Sequence, residues 1–240
     1  MVETAVSDEV LDALRKVSVA TLTSCLYKRG FRNQFIHNVG PINPDGRPMV
    51  GPAFTLRTIP AREDLATPEV IGNRKYPHRA AIEACPPGHV LVMDCRQDPR
   101  SASGGDILLT RLMVRGVEGC VTDGGFRDCG EISELDFPAY QSQPSPPISL
   151  LHHFAVDMQV PIACGGAPVF PDDIIVGDED GVVVIPPHVA ADVAKEAVEM
   201  AVYEDFAAEQ VRQGVELFSV YPATDLSRAK FEAWRRDRGR

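Results

Sequence analysis

The chain has 240 residues, 44% hydrophobic and 24% charged, which is room for one large domain or a domain with a helical appendage. Its formal net charge is -10, so no concentrated basic footprint of the kind a nucleic-acid binder needs is present. The six cysteines form no C-x-x-C pair, which removes zinc-type spacing. No signal-like apolar stretch and no run of about 20 apolar residues occurs, so the expectation is a cytoplasmic protein that neither enters a membrane nor binds nucleic acid.

In chain order, Ser7 is placed to cap a helix with Asp8 and Glu9 in its first turn and Val10, Leu11 and Leu14 on one face. A second helix starts at a Ser18 cap, buries Val19, Leu22 and Leu26, and stops at Gly30. Residues 53–59 read as a strand, and 61–78, with no clean period, as a surface excursion. Residues 89–94 (HVLVMD) form a short apolar run, as in a strand covered on both faces. Residues 104–115 read as a helix with Ile107, Leu108 and Leu112 on one stripe. A strand at 117–122, a turn at Asp123-Gly124-Gly125 and a short helix over 128–135 follow. This order is a βαβ unit and implies a parallel strand pair, whose carboxyl-end loops, 99–105 and 123–128, are where open α/β sheets bind ligands. Residues 138–147 are a Pro/Ser/Gln-rich loop. The runs 174–176 and 182–185 flank a good hairpin turn, and Pro187 opens a long amphipathic helix ended by Gly214. The basic cluster at 235–240 reads as a frayed, solvated tail.

Chemistry concentrates between Gly104 and Asp128. Arg127 offers a planar fork for a carboxylate, and Asp128 a hard oxygen for Mg²⁺ or Mn²⁺, so the pair suits a metal-chelated 2-oxo acid. Asp128 followed by Glu131 is also a helix start, and an N-cap accounts for it equally. Asp106 has the same two readings: a general acid/base or water-positioning group, or a capping box with Ser103. Gly104-Gly105 permits close backbone approach to a ligand, but no nucleotide-binding glycine pattern accompanies it. The histidines lack ligand spacing, with His152-His153 reading as exposed or core-edge side chains. No nucleophile elbow is present, and none of the five lysines lies in an apolar strand, so aldol chemistry here would be metal-assisted and not imine-based.

The segment GGDILLTRLMVRGVEGCVTDGGFRD resembles the RraA-like / 4-hydroxy-4-methyl-2-oxoglutarate aldolase family through Gly105-Asp106, the run from Gly116 to Gly124, and Arg127-Asp128. PDDIIVGDEDGVVVIP looks like the family's closing hairpin, and Pro52 to Thr55 and Pro87 to Asp94 fit as well. The resemblance implies a compact three-layer, swivelling-type α/β domain with a mixed sheet over residues 1–186 and a C-terminal helical extension over 187–240. It implies that Arg127 binds a pyruvate-like carboxylate, that Asp128 ligates Mg²⁺, that Gly105, Asp106, Ile107 and Leu108 line the substrate, and that Asp106 orients a catalytic water. The implied activity is aldol cleavage of a 4-hydroxy-2-oxo acid with oxaloacetate decarboxylation beside it, in a homotrimer or homohexamer. A glutamate from a neighbouring chain, Glu199 or Glu204, would complete the site. The rival is a non-enzymatic regulator that inhibits a ribonuclease by binding it. A methyltransferase label, often attached to such sequences, finds no Gly-rich nucleotide loop here. The 61–78 excursion and the loop at 141–147 depart from the family pattern and would reshape the pocket mouth.

Overall fold

A computed structural model describes residues 6–239. Seven helices lie at Asp8–Leu14 (α1), Val19–Lys28 (α2), Pro77–Ala84 (α3), Asp106–Val114 (α4), Cys129–Ser133 (α5), Pro187–Arg212 (α6) and Asp225–Asp237 (α7). The strands are Phe35–Ile36 (β1), Gly40–Pro41 (β2), Met49–Pro60 (β3), Val90–Asp94 (β4), Ala102–Gly104 (β5), Gly119–Thr122 (β6), Gly125–Phe126 (β7), Ala139–Gln141 (β8) and Gln143–Pro144 (β9). His153–Met158 (β10), Ile162–Cys164 (β11), Ala167–Val169 (β12), Ile174–Asp178 (β13) and Gly181–Ile185 (β14) complete them.

Nine strands make one mixed sheet in the order β1-β14-β13-β3-β4-β6-β8-β2, with β10 also on β3. The run β3-β4-β6-β8 is parallel, as the βαβ reading expects, and β13–β14 is the expected antiparallel hairpin. The strands β1 and β2 sit at opposite ends of this order, yet only His37, Asn38 and Val39 separate them, so the sheet is rolled until its ends meet. Period-2 alternation sorts the side chains: Val90 and Val92 of β4 face inward with Ile175, Val182 and Val184, under the β11–β12 hairpin. Leu91 and Met93 face outward onto Leu109 and Leu112 of α4. Ile174, Val176, Val183 and Ile185 face outward onto α1, α2 and the first half of α6. Hairpin, sheet and helices are the three layers of the expected α/β fold.

Several local expectations are corrected. Ser7 precedes α1 without a side-chain capping bond, whereas Ser18 does cap α2, accepting from Thr21 N at 3.2 Å. The 61–78 stretch holds buried Tyr76 and His78 and leads into α3. The Pro-rich loop contains β8, a buried strand of the main sheet. The stripe of α4 is Leu109 and Leu112 with Leu108 partly buried beside them, while Ile107 is 77% exposed. The basic residues 235–237 are no frayed tail, and Arg240 lies outside the described residues. They end α7, where Phe231 and Trp234 pack on Phe206 at 5.7 Å between ring centroids, and Arg238 just beyond it bonds Glu209 at 2.9 Å. On α6, Glu196 pairs with Lys28 and Arg29, and Glu199 pairs with Arg235 at 2.7 Å.

Candidate active site

The site is built where two short strands meet. β5 and β7 pair in parallel, with β9 beside them, and Arg127 N donates to Gly104 O at 3.0 Å. This pairing lays Gly105-Asp106 against Arg127-Asp128. Ser103, the residue proposed to cap Asp106, is committed across the strands: its Oγ donates to Gly125 O at 2.7 Å and lies 2.9 Å from Thr122 Oγ1. The N-cap of α4 is Gly105, which has no side chain to offer, so Asp106 belongs to no capping box. The first intrahelical bonds run from Leu108 N and Leu109 N to Gly105 O, and the amides of Asp106 and Ile107 therefore have no acceptor within the helix.

Asp128 occupies the N-cap position of α5 with φ 59° and ψ 39°, yet its side chain makes no capping bond. A non-glycine residue in the left-handed region is strained, and aspartate is among the few that tolerate it. Its carboxylate turns toward Arg127, whose Nε lies 3.1 Å and 3.3 Å from the two Asp128 oxygens. Both side chains keep access to solvent, at 45% and 30% exposure, and among the described residues the two terminal nitrogens of Arg127 have no partner. Gly105 is required by proximity rather than by backbone angle: a Cβ there would stand 2.6 Å from Asp128 Oδ2 and 2.9 Å from Arg127 Cγ.

These residues open onto a cleft of about 320 Å³, within the range of small-ligand sites. All six residues singled out in the sequence, Gly105, Asp106, Ile107, Leu108, Arg127 and Asp128, line it. The rest of the lining was not foreseen. It comprises Ile71, Tyr76 and His78 from the supposed surface excursion, Arg79 just after it, and Ile148 to Leu150 beyond the Pro-rich loop. The signal for the first of these was Pro77 at a helix start followed by the apolar spacing of Ala81, Ile82 and Cys85. His78 is an anchor: its Nε2 lies 2.6 Å from Ser103 O, and burial pushes its imidazole below the usual histidine range. His153 is also buried, with Nε2 3.2 Å from Ser101 O, and burial followed by Arg96 lowers it to about 4. Asp123 is structural. Its carboxylate accepts from the amides of Cys95, Gln97 and Gly165, and burial raises it. Cys95 is fully buried, and burial pushes its thiol up to about 12.

Glu199 and Glu204 do not line this cleft. Glu199 pairs with Arg235, and Glu204 accepts from Thr21 Oγ1 at 2.9 Å. No described helix is long and apolar enough to cross a membrane.

Known proteins resemble this chain in sequence and fold. A protein of Halalkalibacterium halodurans named "Putative 4-hydroxy-4-methyl-2-oxoglutarate aldolase" is 35% identical over 148 residues, covering 62% of this chain and 64% of that protein. Legionella pneumophila Protein DlpA is 24% identical over 85% of this chain, which spans only 32% of its length. The chain thus spans less than two thirds of the length of these curated relatives. Among solved structures, Streptomyces coelicolor RraAS2, described as an unusual member of the RNase ES inhibitor RraA protein family, superposes with a TM-score of 0.75 at 30% identity, covering 85% of this chain and 98% of that one. An uncharacterized protein from Pseudomonas syringae pv. tomato superposes with a TM-score of 0.77 at 24% identity over 90% of this chain and 98% of its own, which supports the fold. The family model described as RraA-like, Aldolase/RraA, matches residues 4–184, and the chain belongs to that family.

Proposed function

We propose that this protein is a divalent-metal-dependent carbon–carbon lyase that cleaves a 4-hydroxy-2-oxo acid to pyruvate and a carbonyl product, with oxaloacetate decarboxylation as a side activity. One observation carries the reading: a guanidinium with uncommitted terminal nitrogens, a carboxylate that caps nothing, and an uncapped helix start open onto the same cleft.

The donor set fits Mg²⁺ or Mn²⁺. Asp128 offers hard oxygens, Gly105 leaves clear the space beside Oδ2 that a Cβ would fill, and no group of three His, Cys, Asp or Glu side chains gathers among the described residues. Such ions take one or two carboxylates and keep several waters, whereas zinc sites draw on more nitrogen and sulfur ligands. Bound at Asp128, the ion would supply Lewis-acid polarisation of the 2-oxo group. The chain's own residues supply the rest. The terminal nitrogens of Arg127 take the substrate carboxylate in a bidentate fork, and the amides of Asp106 and Ile107 favour the same anion. A water held by Asp106 accepts the 4-hydroxyl proton as the C3–C4 bond breaks. C4 leaves as a carbonyl and the electron pair passes to C3. The water then returns the proton to C3, completing the methyl group of pyruvate. In oxaloacetate the departing group is CO₂, and the same enolate is protonated.

The protein would act as a homotrimer or homohexamer whose neighbouring chain closes the cleft. Ile107 at 77% and Val114 at 69% exposure, seven residues apart along α4, are apolar area that such a neighbour would cover. Ribonuclease binding, the rival drawn from the family name, has no need of Arg127 or Asp128.

The test is pyruvate release from a panel of 4-hydroxy-2-oxo acids and oxaloacetate, with Mg²⁺, with Mn²⁺ and with chelator. Turnover that needs the metal is the expected result. No turnover on any member, or turnover indifferent to chelation, contradicts the reading.

A further inference from the structure

Arg127 and Asp128 form the tip of a loop whose base is sealed by a closed circuit of hydrogen bonds. Phe126 N donates to Gln141 Oε1 at 2.6 Å, Gln141 Nε2 donates to Cys129 Sγ at 3.3 Å, and Cys129 Sγ donates to Phe126 O at 3.4 Å. The backbone of Phe126 completes the circuit. Between its ends in sequence, Phe126 and Cys129, stand only Arg127 and Asp128. A backbone amide can only donate, so the carbonyl end of Gln141 faces Phe126 and its amino end falls on the cysteine.

The members of the circuit are anchored in turn. Phe126 is fully buried, and its carbonyl oxygen also accepts from Ser145 N at 2.8 Å. Gln141 is 8% exposed and ends β8, where it pairs with Gly40 of β2, while the preceding Tyr140 pairs with Val121 of β6. Through this one side chain the main sheet holds the loop. The tip needs such support. Asp128 keeps a left-handed backbone that costs energy, and among the described residues its carboxylate bonds only the neighbouring Arg127 Nε. The position of that carboxylate is therefore set by the backbone beneath it. Arg127 N is tied to Gly104 O, but Gln141 is the side chain that bonds the residues on both sides of the pair.

We infer that Gln141 is a positioning residue for the metal site, holding Asp128 through this circuit in the conformation from which its carboxylate meets the ion. The inference rests on the reading of Asp128 as the metal ligand. Gln141 does not line the cleft, so it acts through Asp128 and not on the substrate. Partners that orient a ligating side chain are worth about tenfold to a hundredfold in metal affinity.

The experiment is calorimetric titration of Mn²⁺ into full-length wild type, Gln141→Leu, Cys129→Ala, Cys129→Ser and, as control, Asp128→Ala, each well below its melting temperature. Gln141→Leu removes both of its bonds at similar size and should weaken Mn²⁺ binding about tenfold or more. Cys129→Ala opens the circuit but spares the bond from Phe126 N, and should weaken binding by roughly threefold to tenfold. Cys129→Ser has a hydroxyl that donates and accepts as the thiol does, and should lose less than Cys129→Ala. A glutamine that serves the fold alone would lower the melting temperature and leave the Mn²⁺ affinity of the folded protein unchanged. Affinity within about twofold of wild type in folded Gln141→Leu therefore overturns the inference and leaves the metal reading intact. If Gln141→Leu does not fold, the cysteine variants decide, and Cys129→Ala binding Mn²⁺ as tightly as Cys129→Ser overturns the inference. Equal Mn²⁺ binding by wild type and Asp128→Ala, or binding by neither, overturns the metal reading and the inference with it.

Discussion

The two walls of the cleft are made differently. One wall joins two short segments, 104–108 and 127–128, and is held by strand pairing, a glycine contact and a strained aspartate. The other is assembled from two distant segments, 71–79 and 148–150, and apart from Arg79 is largely apolar. The first wall carries charge in fixed positions, which is what bond breaking demands. The second carries mainly shape, which is what selection among substrates demands. Changes on the first wall should therefore lower turnover on every substrate, and changes on the second should reorder substrates.

The largest effect is expected from Asp128→Ala. Its side chain caps nothing, but alanine tolerates the left-handed backbone less well than aspartate, so the melting temperature should fall by only about 2–4 °C while metal-dependent pyruvate release falls at least about a thousandfold. A variant that melts earlier yet keeps its metal-dependent rate would return Asp128 to a purely structural role. Next comes Gly105→Ala. The added methyl would meet Asp128 Oδ2 and Arg127 Cγ, pushing both from their positions, and a loss of roughly a hundredfold in kcat/KM is expected on all substrates alike. Unaltered kinetics in this variant would mean that the close approach of the two segments does not matter.

Arg127→Lys keeps the charge and loses the fork. We expect kcat/KM to fall roughly tenfold to a hundredfold, and aldol cleavage and oxaloacetate decarboxylation to fall together. If one activity is spared, the two reactions use separate sites and the single-wall account breaks. The smallest effect concerns pH. Folded His153 titrates at about 4 against an ordinary 6.5, so the unfolded chain binds its proton first as pH drops. The stability this histidine contributes is fully present above about pH 6.5 and is lost as pH falls toward 4; His78 acts in the same direction. Thermal melts from pH 7 to pH 4 should show a shallower decline in His153→Gln than in wild type. Parallel declines would mean that His153 does not drive the acid sensitivity.

The difference between the walls also explains what could be read in advance. β4, β6 and the β13–β14 hairpin announce themselves through unbroken Val/Ile/Leu runs and a turn. Arg127 and Asp128 offered a fork beside a hard oxygen, but a helix cap accounted for Asp128 equally, and the family resemblance is what singled the pair out. β5, β7 and β9 were not legible, being two or three residues long, and too short to show a period. Without them Ser103 looked like a cap, although its hydroxyl is spent on Gly125 O and Thr122. Gln141 was not legible either, since its bonds depend on which groups the fold brings near. The same holds for the C-terminal basic residues. The partners Glu199 and Glu209 lie 36 and 29 residues earlier, so only the packing of α7 on α6 reveals the pairs.

The most direct measurement is a crystal structure of the protein with Mn²⁺ and oxalate, a planar dianion that mimics the enolate of pyruvate. The account predicts an anomalous peak within bonding distance of an Asp128 carboxylate oxygen, with oxalate between the metal and the terminal nitrogens of Arg127. A metal peak away from Asp128, or oxalate bound without contact to Arg127, would contradict it.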